Sequence, residues 1–241
     1  MSGETLPTQR RLSSTARVAI GVLVPVVLIL TNVRLLLTPL FVSVEYSTPG
    51  FPDDPYGFTR EERVRQAEIA RAYLLNDAGP EFLADVRDPS GIALYNPREL
   101  SHMVDVKVLV QGAVRLWTAL VVLLAGVGLA AWRFASSGTV RRGFNLGARI
   151  TLFLMAALVG LLLLSFSVLF TGFHQVFFQS GTWVFYTSDT LIRLFPIRFW
   201  RDVFALLMVL TLLEAGLLLL GTRRNPETRD ESPASELGSP P

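Results

Sequence analysis

The chain contains no cysteine. Disulfides, thiolate metal sites, cysteine nucleophiles and a lipidated cysteine on the protein itself are therefore excluded, and the redox environment leaves no mark on the sequence. Histidine is nearly as scarce, with two in 241 residues, and of 22 basic residues all but Lys107 are arginine. Charge is thin, at 17% of residues, against about 25% in an ordinary soluble domain. The net charge is +2, and the basic groups flank apolar runs instead of gathering in one patch, so nucleic acid is not implied. The signatures of common soluble enzymes are also missing: there is no G-x-S-x-G elbow, no H-E-x-x-H helix and no Walker-type glycine-rich loop.

What the chain has in abundance is apolar length. Four runs, Val18 to Phe41, Val108 to Trp132, Ile150 to Gly172 and Val203 to Gly221, are each 19 to 25 residues long, close to the roughly 20 that cross a bilayer as helix. The expected fold class is an all-α membrane protein. Its four transmembrane helices form one domain over 18–221, with a partly helical first extracytoplasmic loop (43–105) and a shorter second one (173–201). Residues 1–17 form a cytoplasmic segment, and 222–241, rich in Pro, Ser and Glu, read as a disordered cytoplasmic tail. The first run is too long for a signal peptide and no small-residue cleavage site follows it.

Orientation follows from arginines in the short connections. Arg10, Arg11 and Arg17 precede the first span, Arg141 and Arg142 separate the second and third, and Arg223 and Arg224 follow the fourth, which places both termini in the cytoplasm. The first outer loop suits the other side, with six Arg against twelve acids. The second departs from the rule, carrying Arg193, Arg198 and Arg201 against Asp189. Within the first loop, Thr59-Arg60-Glu61-Glu62 is a capping-box pattern that predicts a helix from about Arg60 to Leu75. Asn96-Pro97-Arg98-Glu99 predicts a second helix that continues into the second span.

Candidate chemistry gathers where these loops meet the spans. Glu99, His102 and Asp105 recur every three residues, so either carboxylate can hold one imidazole nitrogen and set the tautomer of a base. A salt-bridged structural histidine has the same pattern. His174 lies in Phe170-x-x-Phe173-His174-x-x-Phe177-Phe178, beside an aromatic helical face where desolvation favours neutral imidazole. An aromatic belt at headgroup level accounts equally well for the phenylalanines and for Trp183, Tyr186 and Trp200. Lys107, Gln111 and Arg115 form a polar stripe entering the membrane, Arg34 lies at similar depth in the first span, and Glu214 is the expected counter-ion of Arg34 or Arg115. Two histidines with Asp105 or Asp189 could bind zinc, but they lack a short-spaced ligand pair, and the sequence calls for no metal and no cofactor.

Taken together, Glu99-x-x-His102-Met103-x-Asp105-Val106-Lys107 and Phe173-His174-x-x-Phe177-Phe178, followed by Trp183, Asp189-x-Leu191-Ile192, Phe195-Pro196 and Phe199-Trp200-x-Asp202, resemble the bacterial lipoprotein intramolecular transacylase family. Tyr56-Gly57-Phe58 with Arg63 fits the same pattern, and the resemblance runs from about Val18 to Gly221. It implies a multi-pass enzyme of the bacterial cytoplasmic membrane with its active site at the extracytoplasmic face. Its partners would be diacylated lipoproteins and membrane lipid. The reaction would move the ester-linked chain at the glyceryl sn-2 position to the α-amino group of the N-terminal cysteine, giving a lyso-form lipoprotein. By resemblance His102 and His174 are the acid-base pair, with His102 taken as the amine-facing base because Glu99 and Asp105 share its helix. Asp189 supports the site, and Lys107, Arg115 or Arg34 would supply positive potential to the oxyanion. Phe173, Phe177, Phe178, Trp183 and Tyr56 would bind the substrate. Two other classes compete: a metal-assisted membrane lipid hydrolase, and a non-enzymatic transport or assembly protein with Arg34, Gln111, Arg115 and Glu214 along a polar path.

Overall fold

The computed structural model describes residues 7–223, with side chains from Arg10 onward. The expected disorder of the tail therefore concerns, from 224 on, residues outside this range. Regular structure among the described residues is helical, apart from one isolated antiparallel bridge between Arg87 and Ala93. In chain order the helices are α1 (Pro7–Leu36), α2 (Pro39–Glu45), α3 (Arg60–Leu75), α4 (Glu81–Ala84), α5 (Pro97–Phe134), α6 (Ser137–Leu164), α7 (Phe166–Phe177), α8 (Thr190–Leu194) and α9 (Ile197–Gly221). Four of them, α1, α5, α6 and α9, are long and apolar enough to cross a membrane.

Two of the apolar runs are broken, for local reasons. The first was expected as one helix to Phe41, but Pro39 lacks an N–H and forces Thr38 into extended backbone (φ −98°, ψ 152°), so the chain restarts as α2. The freed Leu37 carbonyl accepts a hydrogen bond from Arg71 of α3. The third run breaks at Ser165, which is extended (φ −163°, ψ 104°) and caps the next helix by accepting from Val168 N–H. His174 consequently belongs to the separate helix α7. Both sequence-read capping boxes are present: Thr59 with Glu62 starts α3, and Asn96 with Glu99 starts α5.

The bundle is organised around α1, which packs on α6, α5 and α9. Its approach to α6 is close because Gly143 and Gly147 leave room: a Cβ added at Gly143 would meet Ile20 at 2.8 Å, and one at Gly147 would meet Val24 at 2.6 Å. This small-xxx-small spacing lets helix backbones approach in a membrane, where no hydrophobic force drives helices together. Polar bonds fix the other contacts. Trp117 of α5 donates to Thr31 at 2.9 Å, and the Asn32 amide donates to Thr211 at 3.1 Å and to Glu214 at 2.8 Å. Glu214 is thus held by Asn32, and no ion pair joins it to Arg34 or Arg115 among the described residues. Two residues of helix separate Asn32 and Arg34 by about 200° around α1, so a carboxylate that faces one cannot face the other.

At the end of the bundle reached by the C-terminus of α1, helices α2, α3, α4 and α8 and the first turns of α5 build a cap. One core holds Ala70, Tyr73, Leu83, Tyr95, Met103, Leu191 and Leu194. A second holds Phe41, Val42, Tyr46, Ala67 and Phe199. Arg63 is buried between them, donating to the carbonyls of Arg193 (3.0 Å) and Pro52 (2.6 Å) beneath the rings of Tyr46 and Phe51. Two of the three basic residues that break the charge rule in the second loop, Arg193 and Arg198, are locally compensated, while Arg201 is exposed over the ring of Phe166. Arg193 pairs with Asp54 at 2.8 Å, Arg198 with Asp202, and Asp189 receives Arg98 at 2.9 Å.

Candidate active site

Where the cap meets the bundle, the two histidines come together. Their rings lie 6.2 Å apart, centroid to centroid, and are nearly parallel at 19°, although 72 residues separate them in sequence. His102 comes from the second turn of α5, six residues before the apolar stretch that begins at Val108. His174 comes from the last turn of α7. Around them is an aromatic chamber. His102 touches Phe178 (5.0 Å) and Phe185 (5.3 Å), and His174 touches Phe170 (4.2 Å), Trp183 (4.8 Å), Phe178 (5.5 Å) and Phe173 (5.6 Å).

Hydrogen bonding settles the tautomer of one ring. Nδ1 of His174 lies 2.8 Å from the carbonyl oxygen of Phe170, one helical turn earlier. A carbonyl only accepts, so Nδ1 carries the hydrogen and a neutral His174 keeps its lone pair on Nε2. His102 differs: its Nδ1 is buried with no hydrogen-bond partner among the described residues. Burial lowers the pKa of both imidazoles, that of His102 to about 4 with a further push from neighbouring His174, so both rings are neutral at neutral pH.

The carboxylates expected to orient His102 are occupied elsewhere or turned away. Glu99 is buried, but its two oxygens accept from the N–H groups of Asn96 (2.8 Å) and Leu191 (2.7 Å). Asp105 is exposed and forms no ion pair among those of the described residues. Glu99 closes its own helix start and docks α8, and the Nδ1 of His102 receives nothing from it. Asp189 has a related part. It accepts from Asn96 (3.1 Å), Arg98 (2.9 Å) and the Tyr186 N–H (2.8 Å), fastening the second loop to the first turn of α5. That attachment presses Phe185 against His102. A group of three His, Asp or Glu side chains able to hold a metal ion does not occur among the described residues.

The cations are likewise engaged or distant. Lys107 donates to Asn76 and Ala78 over the ring of Tyr73, pinning the loop after α3. Five residues beyond His102, it lies about 140° around the helix and faces another direction. Gln111 binds the same loop through the Asn76 carbonyl, at 2.8 Å. Arg115 is 13 residues past His102, roughly 20 Å along α5. Arg34, one turn above the Thr31 contact with Trp117, lies at that same remote level. None of the three supplies positive charge to the imidazoles.

Of the five residues expected to bind substrate, Phe173, Phe178 and Trp183 do border the histidines. Phe177 packs on Phe173 at 4.9 Å with its ring tilted, and it is half exposed. Tyr56 is also half exposed and reaches Thr187 through its hydroxyl at 2.9 Å, joining the first loop to the second. Phe170 and Phe185 are chamber residues the sequence did not single out for a role. The i−4 spacing from His174 was the available signal for Phe170. Phe185 lies in a non-helical loop, where no periodicity points to it.

The model of the family described as Lipoprotein intramolecular transacylase Lit matches residues 18–200. A protein of Aquifex aeolicus (strain VF5), described as uncharacterized, is 32% identical over 199 residues, 79% of this chain and 85% of that one. The fold is similar to the in meso structure of the membrane integral lipoprotein intramolecular transacylase Lit from Bacillus cereus, with TM-score 0.69 and 17% identity over 88% of this chain and 92% of that one. A histidine-to-alanine variant of the same Bacillus cereus protein gives TM-score 0.68 and 16% identity over 91% and 96%.

Proposed function

Because this chain belongs to the lipoprotein intramolecular transacylase family, we propose that it moves the sn-2 ester-linked acyl chain of a diacylglyceryl lipoprotein onto the α-amino group of the N-terminal cysteine. The observation that carries this reading is the pair of neutral, nearly parallel imidazoles, His102 buried and His174 half-buried, among aromatic rings. The reaction is an internal aminolysis. The amine lone pair attacks the ester carbonyl, the carbonyl π electrons move to oxygen, and the nitrogen must then lose a proton while the glyceryl oxygen gains one. His174 suits the first transfer, since Nδ1 is committed to Phe170 and Nε2 presents a lone pair. This reverses the assignment suggested by helix spacing, which rested on the carboxylates now found occupied or exposed. His102, stacked on His174, hands the proton on to the leaving oxygen. One proton crosses from nitrogen to oxygen, so no net charge accumulates where burial would make it costly.

Phe170, Phe173, Phe178 and Trp183 give the acyl chain an apolar wall and exclude water, whose attack would release free fatty acid instead of amide. The reading places the chamber at the extracytoplasmic face, where lipoprotein N-termini are anchored.

The test is mass spectrometry of the N-terminal lipopeptide from bacteria that make diacylglyceryl lipoproteins and express the wild type, His102→Ala or His174→Ala. Wild type should leave the acyl count unchanged with one chain moved to nitrogen, and either alanine should lower the rate at least 100-fold, within the usual range for acid-base groups of about 10²–10⁴. Net loss of one chain would identify a hydrolase, and an unmodified lipopeptide would overturn the proposal.

A further inference from the structure

Two nitrogens stand out among the buried side-chain atoms that lack a hydrogen-bond partner in the described residues: Nδ1 of His102 and Nε1 of Trp183. Both belong to rings packed on His174, at 6.2 Å and 4.8 Å. They differ chemically. An imidazole nitrogen can accept or donate according to tautomer, whereas an indole N–H can only donate. A tryptophan serving merely as a membrane-interface anchor keeps its N–H in water or on a carbonyl. This one is sealed from solvent and unbonded, at a cost of about 1–3 kcal/mol for an unmet buried donor.

The backbone holds Trp183 in this place. α7 ends at Phe177, and after the extended Phe178 a turn follows in which Thr182 N–H bonds to the Gln179 carbonyl at 3.3 Å. Gly181 within the turn has φ +88°, a conformation that side-chain-bearing residues rarely adopt. The chain thereby folds back and sets the indole against the imidazole of His174.

We infer that the indole N–H of Trp183 is the hydrogen-bond donor to the oxyanion of the tetrahedral intermediate, an inference that rests on the transacylase reading above. When the amine nitrogen bonds to the ester carbon, the carbonyl π pair becomes a lone pair on oxygen. That oxygen needs a donor until the C–O bond to glyceryl breaks and C=O re-forms. The cations first expected to serve it are engaged or remote, for Lys107 is held by Asn76 and Ala78, and Arg115 lies roughly 20 Å down its helix. Among the described residues Trp183 presents an uncommitted N–H packed on the proposed base, and unlike His102 it is not needed for proton transfer. A neutral donor in an apolar chamber stabilises developing charge without introducing a charge of its own.

The experiment compares the full-length protein, in proteoliposomes with a diacylglyceryl lipopeptide, against two variants. One is Trp183→Phe. The other has Trp183 replaced by benzothienylalanine, which keeps the bicyclic shape and has sulfur in place of N–H. Both should lower kcat about 100-fold, at the lower end of the roughly 10²–10³ cost of losing one oxyanion donor, with KM within about twofold. A purely packing role predicts loss in the phenylalanine variant and wild-type kcat in the isostere, and that result overturns the proposal. A wild type that forms no N-acyl lyso-lipopeptide removes the transacylase reading itself before any variant is compared, so the two failures are distinguishable.

Discussion

Burial governs the two imidazoles more than any partner does. Each has a pKa below the ordinary histidine value, chiefly through desolvation. The sign of the consequence for rate is definite. A base must be neutral to accept a proton, and a lowered pKa extends the neutral form to lower pH. The reacting α-amine, by contrast, is protonated below about 7.7–8.0. The acid limb of kcat/KM should therefore begin near that value with a slope of one and continue unchanged through about pH 6.5, where an exposed imidazole would titrate. Steepening to a slope of two belongs to lower pH. A profile with a second break at about 6.5 would show that the histidines charge freely, contrary to their enclosure.

At the scale of elements, the site depends on how the second loop is fastened to the start of α5. Asp189 and Glu99 together take hydrogen bonds from Asn96, Arg98, Tyr186 and Leu191. Asp189→Ala would release this clasp while touching neither histidine. We expect kcat to fall about tenfold, as slight misplacement of reacting groups commonly costs that much or more. We also expect the second break in the pH profile to rise toward about 6.5 as Phe185 withdraws and water reaches His102. Asp189→Asn, which retains one acceptor oxygen, should restore much of the activity; unchanged profiles in both variants would deny Asp189 any positioning role.

Helix contact makes a separate prediction. Gly147→Val places a branched side chain where a Cβ alone already meets Val24 at 2.6 Å, and overpacking of this kind costs about 1–3 kcal/mol. Thermal unfolding in detergent should show a lower Tm for Gly147→Val. Gly126→Ala, where a Cβ meets nothing within 4 Å, should leave Tm nearly unchanged. Equal effects would mean that the α1–α6 contact does not limit stability.

These elements differ in how far the sequence announces them. Four spans, two capping boxes and the aromatic setting of His174 follow from run length, local hydrogen-bonding rules and helical period, all short-range properties, whereas the aromatic neighbours of His102 come from a distant loop. The roles of the carboxylates were not legible, because Glu99 satisfies its own helix start and the distant Leu191 N–H before any histidine, and three-residue spacing is blind to that competition. The break at Ser165 was hidden by uninterrupted hydrophobicity on either side. The glycine spacing Gly143-x-x-x-Gly147 was in plain view as a packing motif, but its partner on α1 is set by tertiary contact.

The molecule as a whole is asymmetric along the membrane normal, and this asymmetry decides which compartment the chamber serves. One end of the bundle carries the cap, both histidines and the acid-rich first loop. The other carries the junction between α5 and α6 with Arg133, Arg141 and Arg142, together with Arg10, Arg11 and Arg17 on α1. Arginine in short connections favours the cytoplasm. The second loop weakens that bias on paper, yet Arg193 and Arg198 are paired with Asp54 and Asp202 inside the cap and bring little free positive charge to the interface. The chain should therefore insert with the cap outside. The absence of cysteine makes the test direct, because an introduced thiol is the one maleimide target in this protein, which is read after its purification from the labelled cells. Ser90 in the cap and Ser137 at the opposite junction are both exposed. In intact cells a membrane-impermeant maleimide should label Ser90→Cys and leave Ser137→Cys unreacted until the membrane is opened. The reverse pattern would put the histidine chamber in the cytoplasm, away from any lipoprotein anchored at the outer leaflet, and would remove the proposed substrate along with the proposed topology.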